Sequence, residues 1–105
     1  MGLLDFLGFG YKSKKIAEFI ANGAIIIDVR SGAEYAHGHI KGSKNIPLET
    51  VLSRIEEIKK FNNTIIACCA SGMRSGLAIT TLKSNGIVAI NSGNWIKLES
   101  KFNLK

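Results

Sequence analysis

A chain of 105 residues that is 46% hydrophobic, 21% charged and carries one proline has the length of one domain and the apolar mass for a core, which excludes a disordered polypeptide. Its 14 basic and 8 acidic residues leave a net charge of +6; the lysines form no long basic run and aromatics are 8%, so nucleic-acid binding is not expected, and the field suits small anions and acidic partners. No stretch reaches the length of a membrane span, and the neighbouring Cys68 and Cys69 close no stabilising disulfide loop, which points to a reducing, cytoplasmic setting.

Residues 1–10 read as an apolar arm packing on a domain over 11–105. Asp5 interrupts the arm and no basic region precedes it, so neither a signal peptide nor stable membrane anchoring is expected. Ser13 can cap a helix running to Ala21, with Ile16, Phe19 and Ile20 on one face. Asn22-Gly23 ends it. Ala24 to Val29 is a continuous apolar run, the pattern of a strand covered on both faces. Ser31 to Tyr35 reads as a short helix or turn, and Asn45-Ile46-Pro47 as a short strand end.

Leu48 to Lys60 has a helical pattern, with Val51, Leu52, Ile55 and Ile58 inward. Thr64 to Cys68 is a second buried strand. Arg74 to Asn85 is a helix stopped by Gly86. Ile87 to Ile90 is a third strand, 91–94 a loop, and Trp95 to Phe102 a last helix. Alternating strands and helices predict an α/β domain with a parallel sheet.

The chemistry concentrates where the second strand delivers a cysteine into a short loop opening a helix. Unpaired N–H groups of the first helical turn and the positive end of its dipole favour negative charge there. Arg74 adds a cation. These conditions lower a cysteine pKa and make it a nucleophile. Counted from Cys69, four residues precede Arg74; counted from Cys68, five do, the spacing of cysteine phosphatases. Cys69 is favoured, because Cys68 extends the apolar strand and no Asp follows nearby to protonate a leaving alcohol. Asp28 and Arg30 fall at a strand's C-terminal end. His37 and His39 lack further ligands, so no metal is expected.

Asp28-Val29-Arg30, Glu34-Tyr35, Gly38-His39-Ile40, Gly42 and Asn45-Ile46-Pro47, followed by Cys69-Ala70-Ser71-Gly72-Met73-Arg74-Ser75, resemble a rhodanese domain. The resemblance runs roughly from Lys14 to Trp95 as one domain. It implies a rhodanese-like three-layer α/β/α fold with a central, mainly parallel sheet. It implies a sulfurtransferase without cofactor, in which Cys69 takes a sulfane sulfur from a small anion such as thiosulfate, or from a persulfide, and passes it to cyanide or a thiol. A protein thiol is among the acceptors, and a monomer is expected.

By the same resemblance Ala70, Ser71, Gly72, Met73, Arg74 and Ser75 form the anion-binding loop. Asp28, Arg30 and Glu34 form a supporting network, His39 fixes its loop by hydrogen bonding, and Trp95 is core or pocket wall. One departure stands out. Loops favouring thiosulfate often carry a cation beside the cysteine, where this chain has Ala70. Thiosulfate is therefore expected to be a poor donor. The alternatives are a sulfur-carrier module with a dedicated protein partner and, behind it, a Cys-x5-Arg phosphatase or arsenate reductase.

Overall fold

The computed structural model describes residues 10–105. The arm expected over residues 1–10 lies, apart from Gly10, outside the described residues. Four strands form the sheet among the described residues: β1 (Ile25–Asp28), β2 (Lys44–Asn45), β3 (Ile65–Cys69) and β4 (Ala89–Asn94), in the order β2-β1-β3-β4. Every pairing is parallel. The helices are α1 (Tyr11–Ala21), α2 (Gly32–Ala36), α3 (Ile55–Lys60), α4 (Met73–Ser84) and α5 (Trp95–Lys101).

Strand alternation divides the core in two. Ile65 and Cys69 on β3 face one apolar cluster, with Val51, Ile55 and Ile58 from the α3 segment and Ala78 and Leu82 from α4. Ile66 and Cys68 face the other, with Ile16 from α1 and Leu98 from α5. Helices thus cover both faces of a parallel sheet, a three-layer α/β/α sandwich. Each fully buried isoleucine side chain contributes about 1.5–3 kcal/mol of transfer free energy. No helix among the described residues is long and apolar enough to cross a membrane.

Three elements depart from the sequence expectation. Ser13 does not cap α1. Gly10, extended at φ −63° and ψ −178°, is the N-cap, and Ser13 Oγ instead lies 2.6 Å from Lys101 Nζ. The helix expected over Leu48 to Lys60 is two 3₁₀ turns (Leu48–Thr50 and Leu52–Arg54) followed by α3. Its start is pinned to the end of β1 by Leu48 N–H donating to the Val29 carbonyl at 3.0 Å. Three residues per turn instead of 3.6 rotate the apolar stripe, so Leu52 is 68% exposed while Val51, Ile55 and Ile58 stay buried.

The third departure is β4, which begins at Ala89 and runs through the expected 91–94 loop. Its pairing with β3 slips between Ala67, opposite Asn91, and Cys68, opposite Gly93. Ser92 is therefore an extra residue, a β-bulge. In an unbroken strand Asn91 and Asn94 would face opposite ways; the bulge lets both address the loop after β3.

Candidate active site

Asp28 and Cys68 are partners in the β1–β3 register, so the two central strands end side by side. Ligands of parallel α/β sheets bind outside these carboxyl ends. Cys69 is the last residue of β3 and is 0% exposed. The chain reverses at Gly72, the N-cap of α4, with φ 103°. A side chain there would be strained by that φ, and its Cβ would lie 3.4 Å from Gly93 Cα.

The turn aims main-chain donors at the sulfur. Gly72 N–H donates to Cys69 Sγ at 2.9 Å and Ser75 N–H at 3.4 Å, with Ser75 Oγ 3.2 Å away. Burial opposes ionisation of Cys69, but hydrogen bonding by Ser75 and by the backbone of Gly72 and Ser71 outweighs it, and the thiol is held below its ordinary pKa. Ala70, Ser71 and Met73 are exposed.

Cys68 points the other way. It is walled into the α1–α5 cluster, and burial, then the Asp28 carboxylate, push its thiol up. Counted from Cys68 there is thus no loop for Cys-x5-Arg chemistry, because its sulfur faces the opposite side of the sheet from the loop donors.

Asp28 and Arg30 form a buried pair. Asp28 Oδ1 accepts from Arg30 N–H at 3.0 Å and Nε at 2.9 Å, and Oδ2 accepts from Nη2 at 2.7 Å. Arg30 also donates to the Gly38 carbonyl at 2.7 Å, and its guanidinium lies 4.6 Å from the centroid of the Trp95 ring. His39 stacks on Tyr35 with ring centroids 3.7 Å apart, and its Nδ1 is 2.8 Å from the Tyr35 carbonyl oxygen.

Glu34 does not join Asp28 and Arg30 through its side chain; only its carbonyl accepts from Arg30, at 3.3 Å. Its carboxylate grips Arg74 on two prongs, Nη1–Oε1 at 2.6 Å and Nη2–Oε2 at 3.0 Å, and closes a capping box with Ser31 on α2. Arg74 is therefore not a free cation beside the sulfur, as the sequence suggested. The charges meet because α2 follows β1 and the loop follows β3 at the same sheet edge. Among the described residues, no cluster of three or more His, Cys, Asp or Glu side chains could hold a metal ion.

The Arg74 pair, followed by the Ser31 backbone, holds the Glu34 carboxyl down to about 2 from an ordinary 4.5. A folded value below the unfolded one means that ionised Glu34 stabilises the domain above about pH 4.5, and that this contribution is lost as pH falls toward 2. Glu34→Gln keeps an oxygen for the cap and removes the charge. The fall in melting temperature between pH 6 and pH 3 is expected to be smaller in this variant than in the parent; equal falls would reject the linkage.

Two positioning residues have no signature in the sequence pattern. Asn94 Nδ2 donates to the Ala70 carbonyl at 2.8 Å, and Asn91 Nδ2 to the Gly72 carbonyl at 3.1 Å. Only the density of asparagine between an apolar strand and a helix hinted at backbone-binding side chains.

Comparison with known proteins places this geometry. A family model described as "Rhodanese-like domain" matches residues 13–98. The chain is 33% identical over 72 residues to the thiosulfate sulfurtransferase PspE of Escherichia coli, covering 68% of this chain and 69% of that protein. It is 43% identical over 61 residues to the candidate sulfur carrier YrkF of Bacillus subtilis, covering 58% of this chain. It spans only 32% of that carrier's length and 52% of a second Bacillus subtilis relative's. The solved structure of an E. coli rhodanese with anions superposes with a TM-score of 0.64 at 33% identity, covering 70% of this chain and 89% of that one.

Proposed function

This chain belongs to the rhodanese-like domain family, and from that premise we propose that it is a sulfurtransferase working through a persulfide on Cys69. The observation that carries the reading is the convergence of the Gly72 and Ser75 N–H groups on Cys69 Sγ. The thiolate attacks the outer sulfur of the donor; the new S–S bond forms as the donor's bond breaks, releasing sulfite from thiosulfate or a thiolate from a persulfide. Cyanide or an acceptor thiolate then attacks the outer sulfur, and Cys69 leaves as thiolate. The loop N–H groups are placed to stabilise the negative sulfur at each stage. Since Cys69 has no exposed surface, reagents reach it only when the loop around it opens.

The donor is better read as a persulfide than as thiosulfate. Arg74 is neutralised by Glu34 and Ala70 carries no charge, so the loop offers a small dianion main-chain donors but no unpaired cation. A second reading, a sulfur carrier serving a protein partner, is favoured by Met73 and Leu77. These are 78% and 61% exposed, one turn apart on α4 beside the loop, an apolar rim suited to a protein surface. The free thiols of Cys68 and Cys69 suit a reducing cytoplasm.

Intact mass after incubation tests the donor. A persulfide donor is expected to add the mass of one sulfur atom, removable by cyanide, at a rate at least about tenfold above thiosulfate at equal concentration. Faster loading from thiosulfate would reverse the donor assignment, and no loading from either would reject the function.

A further inference from the structure

Ser75 has one hydroxyl proton, and two neighbours compete for it. Ser75 Oγ lies 3.2 Å from Cys69 Sγ and 2.6 Å from Asn91 Oδ1. Which way the Asn91 amide faces is fixed by its other partners. Oδ1 accepts from Gly93 N–H at 2.8 Å, and Nδ2 donates to the Gly72 carbonyl at 3.1 Å. A flipped amide would set donor against donor and acceptor against acceptor. Asn91 therefore offers Ser75 only an acceptor, and the hydroxyl proton lies on the short bond between them. What Ser75 turns toward Cys69 is a lone pair, which can accept a thiol S–H but repels a thiolate. Rotating the hydroxyl to serve the thiolate would leave the Ser75 and Asn91 oxygens facing each other at 2.6 Å with no proton between them.

We propose that Asn91 is a positioning residue that withholds the Ser75 proton from Cys69, leaving the free thiolate to the backbone donors alone. The inference rests on Cys69 being the nucleophile, as proposed above. In the persulfide the charge moves to the outer sulfur and Sγ is neutral, so the lone pair facing Sγ no longer opposes it. Asn91 thus disfavours the free thiolate relative to the loaded cysteine, and the site holds its sulfur more firmly than the loop donors alone would allow. The charged groups near the loop stand in pairs, Glu34 of α2 with Arg74 of α4 and Asp28 of β1 with Arg30. The remaining ionisable neighbour on β3 is the Cys68 thiol, and residues 91–94 of β4 carry no charge.

The test is the pH profile of Cys69 alkylation by iodoacetamide, located by mass, for Asn91→Leu, Ser75→Ala and the double variant. Loss of the Asn91 bond to Gly72 is common to both backgrounds and cancels. Relative to its effect in the Ser75→Ala background, Asn91→Leu is expected to lower the midpoint in the parent background by about half a pH unit, roughly threefold more thiolate below the midpoint. Asn91→Asp, which keeps the shape and the accepting oxygen, provides a folded counterpart. It is expected to raise the midpoint, and by more when Ser75 is present than in the Ser75→Ala background. Equal shifts in the two backgrounds, or a coupling of the opposite sign, would overturn the proposal. Ionisation is read here without sulfur transfer, so a Cys69 that titrates as expected yet takes up no sulfur would reject the function while leaving the Asn91 inference standing.

Discussion

Cys69→Ser is expected to lose sulfur loading and transfer by at least about 10³-fold, while Cys68→Ala keeps both within about twofold of the parent. The two cysteines are adjacent, yet strand alternation gives them different surroundings. Cys69 Sγ lies among main-chain donors at the start of a helix, which hold its thiol pKa down. Cys68 Sγ lies in an apolar cluster beside Asp28, which pushes its thiol up. A serine at 69 keeps the shape of the loop, but its hydroxyl is far less acidic than the thiol and forms no persulfide. Alanine at 68 removes one buried sulfur from the far cluster, a packing defect away from the chemistry. Intact mass after donor treatment, with release by cyanide, reads both variants. Loss of loading in Cys68→Ala with the fold intact would move the nucleophile to the wrong residue for this mechanism.

Asp28→Ala is expected to destabilise the domain by about 3–5 kcal/mol, a large part of the roughly 5–15 kcal/mol that holds small domains together. The substitution strands the Arg30 guanidinium, since Asp28 is 0% exposed and takes three of the N–H donors of Arg30, backbone and side chain together. Near the transition, a loss of that size lowers the melting temperature by on the order of 15 °C or more. Glu57→Gln is the contrast. Glu57 pairs with Arg54 at 2.7 Å, a closer match to the Asp28–Arg30 distance than its consequences suggest. That pair lies in solvent, where water screens it and replaces it, so its urea midpoint should stay close to the parent's. Urea unfolding of the two variants compares burial with geometry directly. A small effect of Asp28→Ala would mean that Arg30 finds another acceptor.

Where the chemistry lay in residue type and order, the sequence was readable. The short, isoleucine-rich apolar runs of β1 and β3 have the length and β-branched content of strands covered on both faces, and the loop from Cys69 to Ser75 follows from a strand running into a helix. Position 52 departs from the expectation because a 3.6-residue period does not hold where Leu48 is tied to Val29 and the chain winds as 3₁₀. Glu34 reads in the sequence as a partner of Arg30, four residues away, when its partner is Arg74, forty residues on. Local spacing cannot show that pairing, because sheet order brings α2 and the loop together. Asn91 and Asn94 were hidden for a related reason: the single extra residue at Ser92 sets their direction, and a bulge leaves no periodic trace.

The placement of the two sulfurs on opposite faces also governs what becomes of oxidative damage. A sulfenic acid at Cys69 is ordinarily rescued by condensing with a nearby thiol to a disulfide, before further oxidation makes the loss permanent. This chain holds two cysteines, and the sheet itself stands between their side chains. Repair must therefore come from a thiol arriving from outside, through the same opening of the loop that admits the acceptor. Under the proposed function, molecules able to collect the sulfur and molecules able to restore Cys69 would then belong to one chemical class, and the abundance of such thiols around the protein would set both its sulfur transfer and its survival.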